Sequence, residues 1–144
     1  MATHPEIIKQ LPTEFKSASI VPYNEDGYWL GLEKSKGGAK GEAKWVDFGG
    51  KREGRENAWE TATRELLEET GLDLRDAALS RPPIYMPLSK QVIFTVKTRD
   101  VPRPEQGIVE VRAFPSWPPP VELHPRIRFD KGLVLRDEMR AIGF

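Results

Sequence analysis

The residues of this chain best placed to do chemistry are Glu65, Glu68 and Glu69, in a segment, Asn57 to Glu69, whose pattern predicts a helix. A helix turns about 100° per residue, so positions i, i+3 and i+4 bring the three carboxylates to one face. Like charges at that spacing repel by roughly 0.2–0.5 kcal/mol per pair. They also occupy the last turns, where the helix dipole is negative and costs each poorly screened anion roughly 0.3–1 kcal/mol more. Arg64 can neutralise one carboxylate but not three. One or two divalent cations would complete the balance, and carboxylate oxygens suit hard cations such as magnesium or manganese. An amphipathic helix with an acidic, solvated face has the same periodicity, so the helix by itself leaves both readings open.

Composition removes several other chemistries. The chain has no cysteine, which excludes disulfides, thiol nucleophiles and thiolate-bound zinc. Its only histidines are His4 and His124, too few for a multi-histidine metal site and neither in a recognisable triad setting. Acidic and basic residues balance at 22 each, so net charge gives no reason to expect nucleic acid or a membrane as partner. Met1 to Gln10 lacks the apolar stretch of a signal peptide, no apolar run reaches membrane-spanning length, and a cytoplasmic location is the default expectation. The length of 144 residues suits a single domain over 1–144 with a loosely ordered lead-in at 1–16.

The elements that must position the helix are legible in outline. Ser17 to Pro22 reads as a strand, Asn24-Glu25-Asp26-Gly27 as a turn, and Tyr28 to Leu32 as a second strand with Tyr28, Leu30 and Leu32 on one face. Lys34 to Lys44, rich in lysine, glycine and alanine, is expected to be a mobile loop, with attraction of phosphate as its functional alternative. Trp45 to Phe48 reads as a strand stopped by Gly49-Gly50. Asn57 with Glu60 predicts a capping box, and Gly71 the end of the helix. On the helix, Trp59, Ala62 and Leu66 share a core-facing stripe. Ile84 to Leu88, Gln91 to Thr98 and Ile108 to Phe114 read as strands, and about Leu133 to Ile142 as a closing helix with Leu135, Met139 and Ile142 together. Strands interrupted by one helix and closed by another predict an α+β fold in which helices cover a sheet.

The segment Gly50 to Leu72 decides between the two readings of the acidic helix. It resembles the signature of the Nudix hydrolase family, G-x5-E-x7-R-E-U-x-E-E-x-G-U with U a bulky aliphatic residue. Gly50, Glu56, Arg64, Glu65, Leu66, Glu68, Glu69, Gly71 and Leu72 match every fixed position. The resemblance implies an α/β/α sandwich with a mixed central sheet and a catalytic loop-helix-loop. It implies Mg2+ or Mn2+ held by Glu65, Glu68, Glu69 and the carbonyl of Gly49, with Glu56 and Arg64 as an ion pair that aims Glu65. Arg64 also stands one turn from Glu60, so a surface pair there is the alternative. Gly50 and Gly71 are expected as turn residues.

The implied reaction is hydrolysis of a nucleoside diphosphate linked to another group, the cations offsetting phosphate charge and making a water more acidic. Glu65, Glu68 and a downstream acid, for which Glu105 is the best placed, are the candidate bases. Lys44, Trp45 and Tyr85 are candidate substrate-binding residues. Substrates consistent with the family are nucleoside triphosphates, oxidised ones included, and ADP-ribose, the latter because Pro87 lies fifteen residues past Leu72. Capped RNA, dinucleoside polyphosphates and diphosphoinositol polyphosphates are alternatives, favoured if the lysines of the 34–44 loop with Arg126, Arg128 and Lys131 meet extra phosphates. A non-catalytic nucleotide-sensing module is the reading of another class, though such modules typically lose ligand glutamates that are all present here.

Overall fold

The computed structural model of the protein describes residues 14–34, 43–128 and 130–144. Most of the expected mobile loop and residues 1–13 of the expected lead-in lie outside the described residues. The end of that lead-in is packed: Phe15 is buried beneath the guanidinium of Arg52, and the Lys16 N–H donates to the Lys90 carbonyl at 2.7 Å.

Seven strands among the described residues form one mixed sheet. Strand β1 (Ser17–Asn24) lies inside it and is buried along almost its whole length. It turns into β2 (Gly27–Glu33) through the expected hairpin, where the Asp26 N–H donates to Asn24 Oδ1 at 2.9 Å and Gly27 adopts a φ of 138°. Strands β3 (Lys44–Val46) and β4 (Phe48–Lys51) replace the single strand expected at Trp45 to Phe48. At Asp47 the chain changes partner, β3 pairing with β2 and β4 with β1. Gly49 and Gly50 do not stop a strand but lie within β4, opposite Ser19 and Ala18. The reason is room: a Cβ on Gly49 would stand 2.5 Å from the Ala18 carbonyl oxygen, and one on Gly50 2.5 Å from Cδ of Glu65. Space, not turn geometry, is what Gly50 supplies.

Strand β1 runs parallel to β6 (Gln91–Lys97), in register from Ser17 opposite Gln91 to Tyr23 opposite Lys97. Parallel neighbours need a crossover, and the connecting chain supplies helix α1 (Ala58–Thr70). Strand β5 (Ile84–Met86) pairs with β6, and β7 (Ile108–Phe114) with β2. The core has two halves, one on each face of the sheet. On one, Trp59, Ala62 and Leu66 of α1 pack with Ile20, Phe48, Val92, Phe94 and Val96. On the other, a short helix α2 (Pro125–Arg128) precedes α3 (Asp130–Ile142), whose Leu135 and Met139 pack with Tyr28, Leu30, Ile93 and Phe114. The result is an α/β/α sandwich. Helix α3 begins at Asp130, before the expected Leu133, which places Lys131 on its inner side, buried. No helix among the described residues is long and apolar enough to cross a membrane.

Candidate active site

The sequence fixes both ends of α1 locally. Asn57 Oδ1 accepts from the Glu60 N–H at 2.8 Å while Glu60 Oε1 accepts from the Asn57 N–H at 2.9 Å, a complete capping box. At the other end Gly71 takes the left-handed conformation, φ 71°, and its N–H donates to Leu67. The last carbonyls of a helix lack intrahelical donors. Here the N–H groups of Arg103 and Glu105 reach those of Thr70 and Glu69 at 3.0 and 2.9 Å. The backbone before β7 is thereby tied to the acidic end of α1.

Arg64 organises the loop before the helix. Its Nε and Nη2 form a fork on Glu56, at 2.7 and 3.1 Å, and Nη2 also donates to the Lys51 carbonyl at 3.0 Å. Its Nη1 meets Glu65 Oε1 at 2.9 Å and Glu68 at 3.3 and 3.4 Å. Glu60 is occupied by the capping box. Glu56 further accepts from the Glu53 N–H and the Thr61 hydroxyl, and these bonds, the Arg64 fork foremost, hold its carboxyl below the usual carboxylate range. A planar bidentate pair of this kind fixes orientation as well as charge.

The three glutamates occupy different surroundings. Glu65 rests against Gly50, and burial pushes its carboxyl up while Arg64 pulls it down. Glu68 is open to solvent. Glu69 is only 9% exposed, and its carboxyl is pushed up to about 9, first by burial and then by the charges of Glu65, Glu33 and Asp47. The Gly49 N–H partly offsets this. Its Oε1 has no hydrogen-bond partner. The neighbouring acids are compensated: Arg126 meets Glu33 at 3.0 Å and Lys131 meets Asp47 at 2.6 Å. Glu69 has no such cation among the described residues. As they stand, no three of the described acidic or histidine side chains converge tightly enough to hold a metal ion. Arg64 draws Glu65 and Glu68 toward its own Nη1. A buried carboxyl oxygen without a hydrogen-bond partner, beside Glu65, Glu33 and Asp47, is a position that a cation would satisfy.

The remaining expected site residues lie around this cluster. Glu105 is exposed, its carboxylate over Gly71 at the end of α1. Lys44 pairs with Glu122 at the start of β3. Trp45 is buried, edge-on to Phe114 with the Arg112 guanidinium over its ring at 4.9 Å, so stacking on a nucleobase would require that guanidinium to move. Tyr85 packs against the α1 half of the core and its hydroxyl donates to the Glu14 carbonyl at 3.4 Å. Arg126 and Lys131, expected as partners for extra phosphates, are instead matched by Glu33 and Asp47. Sequence reasoning did not single out Glu33 and Asp47, the acids beside Glu69. Asp47 carried a signal, a single acid between Val46 and Phe48 in an apolar strand pattern, which demands a buried partner.

The family model for the NUDIX domain matches residues 13–137. Among solved structures, the chain is similar to an ADP-ribose pyrophosphatase from Streptococcus suis 89-1591, at 18% identity over 89% of this chain and 91% of that one, with a TM-score of 0.63. It is similar also to a nudix hydrolase family member from Chromobacterium violaceum, at 20% identity over 91% and 92%, TM-score 0.60. A C. elegans Ap4A hydrolase shares 16% identity over 88% and 95%, TM-score 0.55. At these identities the likeness is one of fold. No curated protein matches the chain.

Proposed function

The chain belongs to the NUDIX family, and we propose that within it this protein is a divalent-metal-dependent pyrophosphohydrolase, splitting a nucleoside diphosphate linked to a second group into a nucleotide and a phosphorylated form of that group. The observation that carries this reading is the buried carboxyl of Glu69, which has no cation of its own among the described residues although it lies beside Glu65, Glu33 and Asp47. Glu65, Glu68, Glu69 and the Gly49 carbonyl would hold Mg2+ or Mn2+. Glu68 is held to Arg64 only by contacts of 3.3 and 3.4 Å and is exposed, so it can turn toward the other two. A divalent ion there would offset phosphate charge and make a water more acidic.

The chain's own residues do the rest. The Arg64 fork pins Glu56 and the Lys51 carbonyl to α1, which fixes the loop and aims Glu65. Glu65, Glu68 and Glu105 are the groups that would take the proton from the attacking water. The bond from the Glu105 N–H to the Glu69 carbonyl would keep Glu105 beside the acidic end of α1.

The test is a substrate panel with product analysis, in Mg2+ and in Mn2+: ADP-ribose, dinucleoside polyphosphates, normal and oxidised nucleoside triphosphates, capped RNA and diphosphoinositol polyphosphates. Metal-dependent cleavage of a diphosphate linkage is expected, and Glu68→Gln should fold yet turn over orders of magnitude more slowly. A wild-type protein that binds nucleotides and cleaves none would be a sensing module instead.

A further inference from the structure

Strand β7 pairs with β2 alone, and among the described residues no strand lies on its other edge. It is seven residues long. The other strands with a single partner are β3, β4 and β5, of three, four and three residues, and β3 is further covered by a bridge from Trp45 to Leu123. An open edge is a template for another strand, and proteins blunt such edges with lysine, proline or a bulge. Strand β7 contains no lysine and no proline. Its pairing with β2 shifts register only between Leu32 and Glu33, opposite the start of β7, so residues 110–114 stay regular. Val109 is an apolar side chain left 55% exposed on this strand.

The charges of β7 complement one another across a two-fold axis. Glu110 and Arg112 lie opposite Leu32 and Leu30, on the α3 face of the sheet. Arg112 Nε and Nη2 donate to Glu110 Oε2 at 3.2 and 2.7 Å, and the guanidinium rests over Trp45. Those bonds leave Nη1 for a second carboxylate.

We propose that β7 is the contact between two copies of this chain, paired antiparallel about a two-fold axis at Val111. In such a contact, where residue i meets j, residue j meets i. With the axis at Val111, each Glu110 stands directly opposite Arg112 of the second copy, and each Val109 opposite its Ala113. Moving the axis one residue either way sets Glu110 against Glu110 or Arg112 against Arg112, and like charges directly opposite are destabilising. Charge thus selects one register. In it, each carboxylate has one guanidinium on its own strand and another across the contact. The same pairing covers Val109, and facing pairs of opposite charge are the ones that stabilise a sheet. The contact does not depend on the hydrolase reading.

Sedimentation equilibrium of the full chain tests this. The wild-type protein should show a monomer–dimer equilibrium. Glu110→Arg and Arg112→Glu should each raise the dimer dissociation constant about tenfold, since the two-fold axis counts the repulsion twice. Each variant also carries two like charges within its own strand, a defect that no partner removes. An equimolar mixture of the two variants restores opposite charges across the contact alone, so a heterodimer tighter than either homodimer should form. Val109→Lys changes an exposed side chain and sets a lysine on the edge, so it should shift the equilibrium to monomer with an unchanged circular dichroism spectrum. A wild-type protein that stays monomeric up to its solubility limit would overturn the assignment. So would charge variants that dimerise as tightly as wild type, or a mixture no tighter than its components. If a charge variant fails to fold, Val109→Lys decides, and an undiminished dimer in that variant overturns the contact.

Discussion

Gly50 lies directly against the carboxylate of Glu65: a Cβ at Gly50 would come within 2.5 Å of Glu65 Cδ and 2.6 Å of Oε1. Gly50 sits in β4 without a positive φ, so alanine meets no backbone strain there. What it meets is the end of a flexible side chain, which can move aside. Gly50→Ala should therefore leave the melting temperature nearly unchanged while displacing the carboxylate that Arg64 aims. A displacement near 1 Å in a catalytic group can cost about a hundredfold in rate, and a fall of that order in kcat at native stability is expected. Paired thermal melts and steady-state kinetics check it.

Asn57→Ala should do the reverse. The cap bonds the Glu60 N–H and holds the reciprocal Glu60 bond in place, but it touches none of the acidic cluster. Losing such a cap costs about 1 kcal/mol. Denaturant titration should show that loss with kcat unaltered.

The Glu56–Arg64 fork gives a pH signature. Glu56 is held below the ordinary carboxylate value, chiefly by Arg64. A carboxyl lowered on folding adds stability that is fully present above its unfolded pKa, about 4.3, and that is lost as pH falls through the lower folded value. The wild-type protein should thus lose stability steeply below about pH 4, and Glu56→Gln should flatten that limb while being less stable at neutral pH. Arg64→Lys should also lose activity at neutral pH, because an ammonium cannot span Glu56, Glu65 and the Lys51 carbonyl at once.

These features were legible in the sequence to different depths. The cap of α1, its end at Gly71, the hairpin at Asn24–Gly27 and the bounds of β7 are written in neighbouring residues, so local chemistry finds them. The partner change at Asp47 is not, because nothing local says that Trp45 follows β2 while Phe48 follows β1. Gly49 and Gly50 look like a turn until Ala18 and Glu65 are brought against them. The pairing of Lys131 with Asp47 and of Arg126 with Glu33 joins distant segments, and without it those cations read as free to meet phosphate. The family signature named the three glutamates. That only Glu69 would be deeply buried depends on how α1 packs against β1 and β4, which no local pattern shows.

That burial yields a last prediction. Glu69 is pushed up to about 9 in the folded protein, against about 4.3 unfolded. A carboxyl raised on folding favours the fold fully below its unfolded value, and the advantage is lost as pH rises toward the folded one. Without metal, stability should decline from about pH 4 toward pH 9 by more in the wild type than in Glu69→Gln, which carries no charge to bury. Magnesium binds the ionised form, so millimolar Mg2+ should raise the wild-type melting temperature, and by more at pH 8 than at pH 6, where the proton competes. Glu69→Gln should be more stable than wild type in chelator and gain little from Mg2+. Melting curves of both proteins across pH, with magnesium and with chelator, measure every part of this. An equal magnesium shift in the two proteins would mean that the ion settles elsewhere than at the one buried carboxyl of the cluster, which no cation among the described residues reaches.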